Sequence, residues 1–239
     1  MDPQHLPYVV GEHRRLFPDG FFARLGPGFL GAYTGLYLTS PHALAFIAES
    51  EGRPVGFLVG VTDPVLHRRH TLRRHGGKLL THAICGLAVR PGLLLHFLRT
   101  RLPRYIRKLT GRQPTSAPPT QVPPEHATPT HASPTPPGPG AVLAHVAVAD
   151  EASSQGIGAD LIERFVAAAT IAGCGRVSLV TAEGPQGAGP YYERRGWHLV
   201  GRTATPEGRQ LLTYERLLGT PSWPPGWTRA KIPGTPTVR

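Results

Sequence analysis

The sequence predicts an α/β fold, a mixed and mostly antiparallel sheet flanked by helices. Three observations lead to this fold class. Two short apolar segments, residues 43–48 and 55–61, are separated by a turn with Gly52, as in a β-hairpin. Residues 142–182 follow the order strand, helix, strand, and residues 197–216 form a second hairpin pattern. Hairpins are antiparallel, whereas a crossover helix joins parallel strands, so both pairings are expected in one sheet.

The N-terminal part is predicted to contain helices before the first hairpin. Residues 17–38 are typical of two short helices, with Asp19 as the N-cap of the first and Pro27 in the first turn of the second. The first residues lack the apolar core of a signal peptide, so we expect a cytoplasmic protein. Cys85 and Cys174 lie in apolar stretches, and we expect two buried free thiols rather than a disulfide.

The net charge of +11 is concentrated in one segment. Residues 64–124 contain no Asp or Glu, whereas residues 68–112 contain twelve Lys and Arg. We predict helices in this basic segment, with breaks at Gly76-Gly77 and at Pro91-Gly92. The apolar run at residues 79–98 is interrupted by histidine, arginine and proline, which makes it a poor membrane span.

Composition divides the chain into five parts. A Pro/Thr/Ser-rich stretch follows the basic segment, and a second Pro-rich stretch ends the chain. Such compositions bury too little apolar surface to fold alone. The predicted parts are an N-terminal half (1–63), a basic helical insert (64–112), a disordered linker (113–140), a second half (141–218) and a tail (219–239).

The second half has the clearest pattern. A strand at residues 142–149 leads through a glycine-containing turn into an amphipathic helix that begins near Ile157, and residues 176–182 form the next strand. A short helix at residues 191–195 and the second hairpin follow. The bare amides at the helix N-terminus favour an anion such as pyrophosphate, and Gly156 allows the backbone to approach it.

Two motifs in this half resemble those of the GNAT N-acetyltransferases. Residues 145–162, HVAVADEASSQGIGADLI, resemble the family's motif A, an apolar strand followed by Arg/Gln-x-x-Gly-x-Gly/Ala and a helix. Residues 187–197, GAGPYYERRGW, resemble its second signature, Ala-x-x-Phe-Tyr-Glu-x-x-Gly-Phe. The sequence departs from the pattern at Ser153, where Arg or Gln is usual, and at Pro185, where Asn is frequent.

The resemblance implies a GNAT-type sheet with a V-shaped opening for acetyl-CoA, the co-substrate, in the half formed by residues 141–218. It implies direct attack of a primary amine on the acetyl carbonyl, with Tyr192 as the general acid for the leaving thiolate. Backbone groups of Ala147 and Val148 would bond the pantetheine arm, and the amides of residues 153–159 would hold the pyrophosphate. The implied cofactor-binding residues are Val146, Ala147, Val148, Ser153, Ser154, Gln155, Gly156, Ile157, Gly158, Ala159 and Tyr192.

A general base for the ammonium proton has two candidates. His145 lies on the strand before the phosphate loop and has a suitable unperturbed pKa. Glu183 follows the next strand and is the second choice. A role in packing for His145, exposure in a loop for Glu183, and water as the proton acceptor all remain open. The histidines have no metal-ligand spacing on one element, so we expect no metal.

The basic insert leaves four interpretations open. The first interpretation is a pair of helices with a solvated basic face. The second is a lid that attracts an anionic acceptor such as a sugar nucleotide. The third is a peripheral membrane contact through residues 93–109. Nucleic-acid binding is the least favoured, because few aromatic residues are interleaved with the bases. The motifs favour an N-acetyltransferase, and the alternative is a non-catalytic GNAT-fold module that binds CoA or a partner. The sequence specifies neither the acceptor nor the oligomeric state.

Overall fold

The computed structural model describes residues 1–18, 20–88, 139–185, 187–205 and 208–219. These ranges contain six α-helices and six strands. The helices are α1 (Leu6–Leu16), α2 (Phe21–Arg24), α3 (Pro27–Thr39), α4 (Pro64–Ala88), α5 (Ile157–Ile171) and α6 (Gly189–Glu193). The strands are β1 (Ala43–Ser50), β2 (Arg53–Val61), β3 (Gly140–Val148), β4 (Arg176–Ala182), β5 (His198–Ala204) and β6 (Gln210–Leu217).

The described strands form one sheet in the order β1-β2-β3-β4-β6-β5. Only the β3–β4 pair is parallel, and the other four pairs are antiparallel. The predicted fold class, a mixed and mostly antiparallel sheet flanked by helices, is therefore confirmed. Because both hairpins and the crossover unit contribute strands to one sheet, the N-terminal and C-terminal halves share it.

Helices cover both faces of the sheet around β2 and β3. On one face the fully buried Phe165 of α5 packs with Leu58 of β2 and Leu143 of β3. On the other face Val9 of α1 and Tyr37 of α3 pack against a separate buried cluster from the same strands. This alternation of buried side chains keeps the backbone of β3 between two apolar layers, so that its position is fixed by packing on both sides.

The N-terminal helices agree in part with the sequence. The two predicted short helices are α2 and α3, and Pro27 is the first residue of α3 as expected. Helix α1 was not predicted from the sequence pattern. The proposed N-cap, Asp19, lies outside the described residues.

Helix α4 corrects the prediction of a break at Gly76-Gly77. The helix runs without interruption from residue 64 to residue 88. Neither glycine has a positive φ, and a Cβ at either position would meet no atom within 4 Å. Each glycine weakens a helix without ending it, and packing of α4 on α3 maintains the continuous helix. Pro91-Gly92, the predicted linker up to residue 138 and the tail from residue 220 lie outside the described residues. The predicted end of the linker at residue 140 is wrong, because β3 begins at Gly140.

The predicted strand–helix–strand unit is confirmed, with small shifts in its neighbours. β4 has the predicted bounds, and α5 begins at Ile157 as expected. Helix α6 begins two residues before the predicted position, at Gly189, and β5 and β6 form the expected second hairpin.

The two cysteines are free thiols, as predicted. Cys174 is buried, but Cys85 is exposed, so the expected burial of Cys85 is wrong. The reason is that Cys85 projects from α4 on a side that does not pack against the sheet domain. None of the helices within the described ranges is long and apolar enough to cross a membrane.

A bulge in β3 separates it from β4. Val59 of β2 pairs with His145, whereas the next residue, Gly60, pairs with Leu143, so Ala144 is the additional residue. A bulge bends and twists its strand. The β3–β4 pairing accordingly covers only residues 140–142 of β3, and the rest of that edge of β3 has no strand partner among the described residues. The two parallel strands diverge toward their carboxyl ends and open a cleft.

Candidate active site

The cleft has a volume of about 390 Å³ and lies between the end of β3, the start of α5 and α6. It is lined by residues that are consecutive on β3, by the loop before α5 and by one face of α6. These residues are Val146, Ala147, Val148, Ala152, Ser153, Ser154, Gly156, Ile157, Gly158, Ala159, Ile162, Ala188, Tyr191, Tyr192 and Arg195.

The free edge of β3 supplies backbone hydrogen-bonding groups to this cleft. Val146, Ala147 and Val148 line it, and none of them pairs with β4. An unpaired strand edge presents a row of N–H and C=O groups to any extended chain that lies beside it. The edge therefore suits a linear ligand with amide groups of its own.

The loop between β3 and α5 presents free amides at the other end of the cleft. Ser154 and Gly156 adopt left-handed backbone conformations, with φ of 63° and 83°. Within the described chain, the amides of residues 154–159 have no backbone acceptor. Successive N–H groups in such a turn form a concave anion site, and the dipole of the fifteen-residue helix α5 adds to it.

Close packing brings this loop and helix onto the strand. A Cβ at Gly158 would lie 3.5 Å from Val148 Cγ2, and a Cβ at Gly56 would lie 3.1 Å from the Ala147 carbonyl oxygen. The absence of side chains at both glycines lets the start of α5 lie directly over β2 and β3. This places the free amides next to the free edge.

Arg195 is a site residue that the sequence reasoning missed. It is the only cationic side chain among the residues that line the cleft, and its guanidinium carbon lies 4.6 Å from the Tyr191 ring centroid. Within the described residues, Arg195 has no carboxylate partner. It lies four positions after Tyr191, and this spacing on the predicted helix was the available signal.

Tyr192 projects into the cleft from α6. Only 6% of the residue is exposed, and its ring packs edge-on against Tyr191 and Trp197. Burial, with a smaller contribution from the neighbouring Tyr191, raises the pKa of Tyr192 to about 12. Among the described residues its hydroxyl has no hydrogen-bond partner, so it can donate to a ligand in the cleft.

Two hydrogen bonds fix α6 against the sheet. The amide of Ala188 donates to Thr181 Oγ1 on β4 at 3.1 Å. The Tyr214 hydroxyl on β6 donates to Glu193 Oε1 at 2.7 Å. Because one bond holds each end of this short helix, the direction of the Tyr192 side chain is determined by the sheet.

The comparisons with known proteins agree with this geometry. Residues 126–197 match the sequence model of the acetyltransferase (GNAT) family. This segment is a GNAT acetyltransferase domain. The first part of the match, before residue 139, lies outside the described residues. No curated protein sequence matches the chain.

Solved structures show that the GNAT fold extends over most of the chain. A crystal structure of an acetyltransferase has 14% identity and a TM-score of 0.51, and the alignment covers 91% of this chain and 97% of that one. Ard1 from Thermoplasma volcanium has 12% identity, coverages of 91% and 94%, and a TM-score of 0.51. An aminoglycoside 6'-N-acetyltransferase complexed with coenzyme A has 10% identity, coverages of 90% and 92%, and a TM-score of 0.50. At these identities the similarity concerns the fold.

The GNAT domain brings most of the predicted cofactor-binding residues together, with one exception. The side chain of Gln155 does not line the cleft, because its Nε2 donates to the Glu151 carbonyl oxygen at 3.2 Å. It lies instead beside a groove between β1 and α5. Gln155 can therefore contribute its backbone amide to the phosphate loop but not, in this conformation, its side-chain amide.

His145 lies next to the cleft in a different environment from the one expected. Its ring packs edge-on against His13 of α1, with 4.6 Å between centroids, and also contacts Phe17. Burial, together with the nearby His13, lowers the pKa of His145 to about 3. This pKa lies well below the unperturbed value for histidine, so a proton on His145 is disfavoured, and its role as a base stays a prediction.

Glu183, the second predicted base, lies outside the cleft lining. Its amide donates to the Gln210 carbonyl oxygen, and its carboxylate lies 3.5 Å from Arg202 Nη1 on β5. The side chain is 37% exposed. Glu183 thus has a described ion-pair partner on the second hairpin, and its role as a base stays a prediction.

Proposed function

We propose that this protein is an acetyl-CoA-dependent N-acetyltransferase that transfers the acetyl group directly to a primary amine. One observation carries the proposal: a single cleft joins a free strand edge, the free amides of residues 154–159 and the Tyr192 hydroxyl. These three features match the pantetheine, pyrophosphate and thioester parts of acetyl-CoA in that order. The aminoglycoside 6'-N-acetyltransferase of the same fold is complexed with coenzyme A, which supports this fit.

The residues that line the cleft carry chemical groups that suit acetyl-CoA, the acetyl donor. Val146 and Val148, whose backbone groups face away from β2, would pair with the amides of the pantetheine arm as an added strand, whereas the backbone of Ala147 faces β2. The loop amides would donate hydrogen bonds to the pyrophosphate. Residues 150–159 contain two acids and no base, so the loop itself offers no cation to the phosphates. Arg195, two residues after the end of α6, supplies the cation in the cleft lining.

Acetyl-CoA, when bound, supplies the acetyl group and a thiolate leaving group. The backbone amides on β3 orient and polarise the acetyl carbonyl, so catalysis rests mainly on positioning. Tyr192 donates a proton to the departing sulfur. The raised pKa keeps its phenol protonated over the whole neutral range, as a general acid requires.

The attacking amine needs to lose a proton before or during attack. His145, with its pKa lowered to about 3, binds that proton weakly. We therefore favour water, directly or as a relay to Glu183, as the acceptor of the proton, and His145 as a packing and positioning residue. This revises the order of the two candidates.

The proposed class of acceptor amine rests only on the charge of helix α4. Helix α4 carries five Lys and Arg and no acid, which favours a small anionic amine or an amine linked to a sugar nucleotide. A broad amine panel is the appropriate substrate set, since nothing in the cleft selects one member.

The test is release of free CoA thiol from acetyl-CoA during incubation with this amine panel. We expect at least one amine to accelerate thiol release, with the acetylated product identified by mass spectrometry. Saturable acetyl-CoA binding without turnover of any amine would support a non-catalytic module. Absence of both would contradict the proposed function.

A further inference from the structure

The outward side of α4 combines bulky aliphatic residues with arginines. Val65, Leu72, Leu80 and Ile84 are between 57% and 62% exposed, which is unusual for four large apolar residues of one helix. The exposed Arg69 and Arg73 are interleaved with them. We call this set the α4 outer face.

Helical geometry places these residues on one side. At 100° per residue, the six positions of the α4 outer face fall within about one third of the helix circumference. The helix has 25 residues and is thus about 37 Å long. The apolar and basic side chains therefore lie along one side of the helix, on both sides of Gly76 and Gly77.

Other side chains of α4 already attach the helix to the protein, and one of them, Ala83, lies within the same third of the helix circumference. His67 stacks on Tyr37 of α3 with 5.2 Å between ring centroids, and Leu79 and Ala83 pack against the buried cluster of Leu25 and Phe29. The α4 outer face is therefore not needed to attach the helix. Its composition calls for a different explanation.

The basic side chains of α4 have no ion-pair partner in the part of the chain that the structure describes. Its bases are Arg68, Arg69, Arg73, Arg74 and Lys78, and the helix contains no acid. Within the described residues, none of these five side chains forms an ion pair. A strip of bulky aliphatic residues with unpaired arginines is complementary to a surface that is apolar below and anionic above.

We propose that the α4 outer face binds the surface of an anionic lipid bilayer, with α4 parallel to the membrane plane. Leucine and isoleucine side chains insert at the level of the acyl chains, while the arginines remain at the phosphates. Nucleic acid would use the arginines but gains little from exposed aliphatic residues, since base recognition relies on polar and aromatic side chains. The aliphatic strip thus favours lipid. This inference does not depend on the proposed acetyl transfer, but it assigns Arg69 and Arg73 to lipid phosphates rather than to an anionic acceptor.

The experiment is co-sedimentation of the full-length protein with phosphatidylcholine vesicles that contain or lack phosphatidylglycerol. We expect binding only to the anionic vesicles, weakened by salt. Two variants test the two components, L72Q/L80Q for the aliphatic strip and R69Q/R73Q for the charge. The matched control is R14Q/R53Q, which removes two exposed arginines elsewhere.

The variants distinguish binding of α4 to lipid from binding of α4 to nucleic acid. At about fivefold per basic residue, R69Q/R73Q lowers the partition coefficient about 25-fold, and the control changes it little. L72Q/L80Q lowers the partition coefficient by a factor of similar size. Wild-type binding by either α4 variant would overturn the proposal, and so would equal loss in the control. Tighter binding to single-stranded or duplex DNA that depends on the arginines and not on Leu72 and Leu80 would assign the face to nucleic acid instead.

Discussion

The guanidinium carbon of Arg195 lies 4.6 Å from the centroid of the Tyr191 ring, and both side chains line the proposed acetyl-CoA cleft. The aromatic face holds the cation in the cleft without neutralising it, unlike a carboxylate partner. The opposite wall of the cleft is the loop with acidic residues Asp150 and Glu151 and no base. Arg195 thus offsets the charge of the phosphates, for which this loop offers amides and hydroxyls but no cation.

Replacement of Arg195 should weaken donor binding selectively. We expect Arg195→Gln to raise the KM for acetyl-CoA about tenfold or more, because a charge-assisted hydrogen bond to phosphate is lost. The KM for S-acetyl-pantetheine, which lacks the pyrophosphate, should be unchanged. Arg194→Gln is the matched control, since Arg194 does not line the cleft. Equal effects on both donors, or from both variants, would contradict the assignment.

Removal of the Tyr192 hydroxyl should affect turnover rather than binding. We expect Tyr192→Phe to lower kcat about 100-fold or more with little change in KM, as for loss of a general acid. Tyr191→Phe, next to it, should leave kcat nearly unchanged. Because the pKa of Tyr192 is about 12, ionisation of this phenol should cause no loss of activity below about pH 11. Unchanged turnover in the variant would exclude Tyr192 as the acid.

Gly60 on β2 allows α5 to approach the sheet. A Cβ at this position would lie 2.5 Å from a ring carbon of Phe165 and 2.8 Å from the Val142 carbonyl oxygen. Gly60→Ala should therefore lower the free energy of unfolding by about 2 kcal/mol, measured by urea denaturation. Gly76→Ala, inside α4 with open space around it, should instead raise stability by up to about 1 kcal/mol. Destabilisation by both substitutions would show that α4 is not a continuous helix.

The paired rings of His13 and His145 should make the protein sensitive to acid. The pKa of His145 falls from 6.5 to about 3 on folding, so below about pH 6.5 the unfolded chain binds a proton that the folded chain does not. Stability is therefore complete above that pH and falls as the pH decreases, by about 2 kcal/mol at about pH 5. Burial lowers the pKa of His13 in the same direction.

Thermal unfolding at several pH values measures this effect. His145→Gln should flatten the decrease in Tm below about pH 6.5, whereas His198→Gln, at an exposed position of β5, should not. If the Tm of His145→Gln decreases below about pH 6.5 as much as the Tm of the wild type, other titratable groups cause the decrease.

The sequence was most informative where local pattern and chain order coincide. The strand–helix–strand unit follows from periodicity, and the loop that ends at Gly156 follows from its glycines, so both were predictable. Helix α4 was predicted to break because two glycines weaken a helix locally. The contacts with α3 that maintain it come from residues more than 25 positions earlier, and the local pattern does not contain them.

The candidate active site was also predictable only where its residues are close together in the sequence. The residues on β3 and in the loop were predicted because they are contiguous in a motif. The environment of His145 depends on His13, which α1 brings from 132 positions earlier, so its lowered pKa could not be read from neighbouring residues. Gln155 matched the motif region, yet a bond to Glu151 directs its side chain away from the cleft.

The most direct test is amide hydrogen exchange of the full chain with and without acetyl-CoA. The free amides of residues 154–159 and the open edge at residues 146–148 are expected to exchange more slowly when acetyl-CoA is bound, because each amide that contacts the ligand gains an acceptor. Protection should be weaker in Arg195→Gln at the same ligand concentration. Saturating acetyl-CoA that leaves exchange in both segments unchanged would contradict the assignment of this cleft as the donor site.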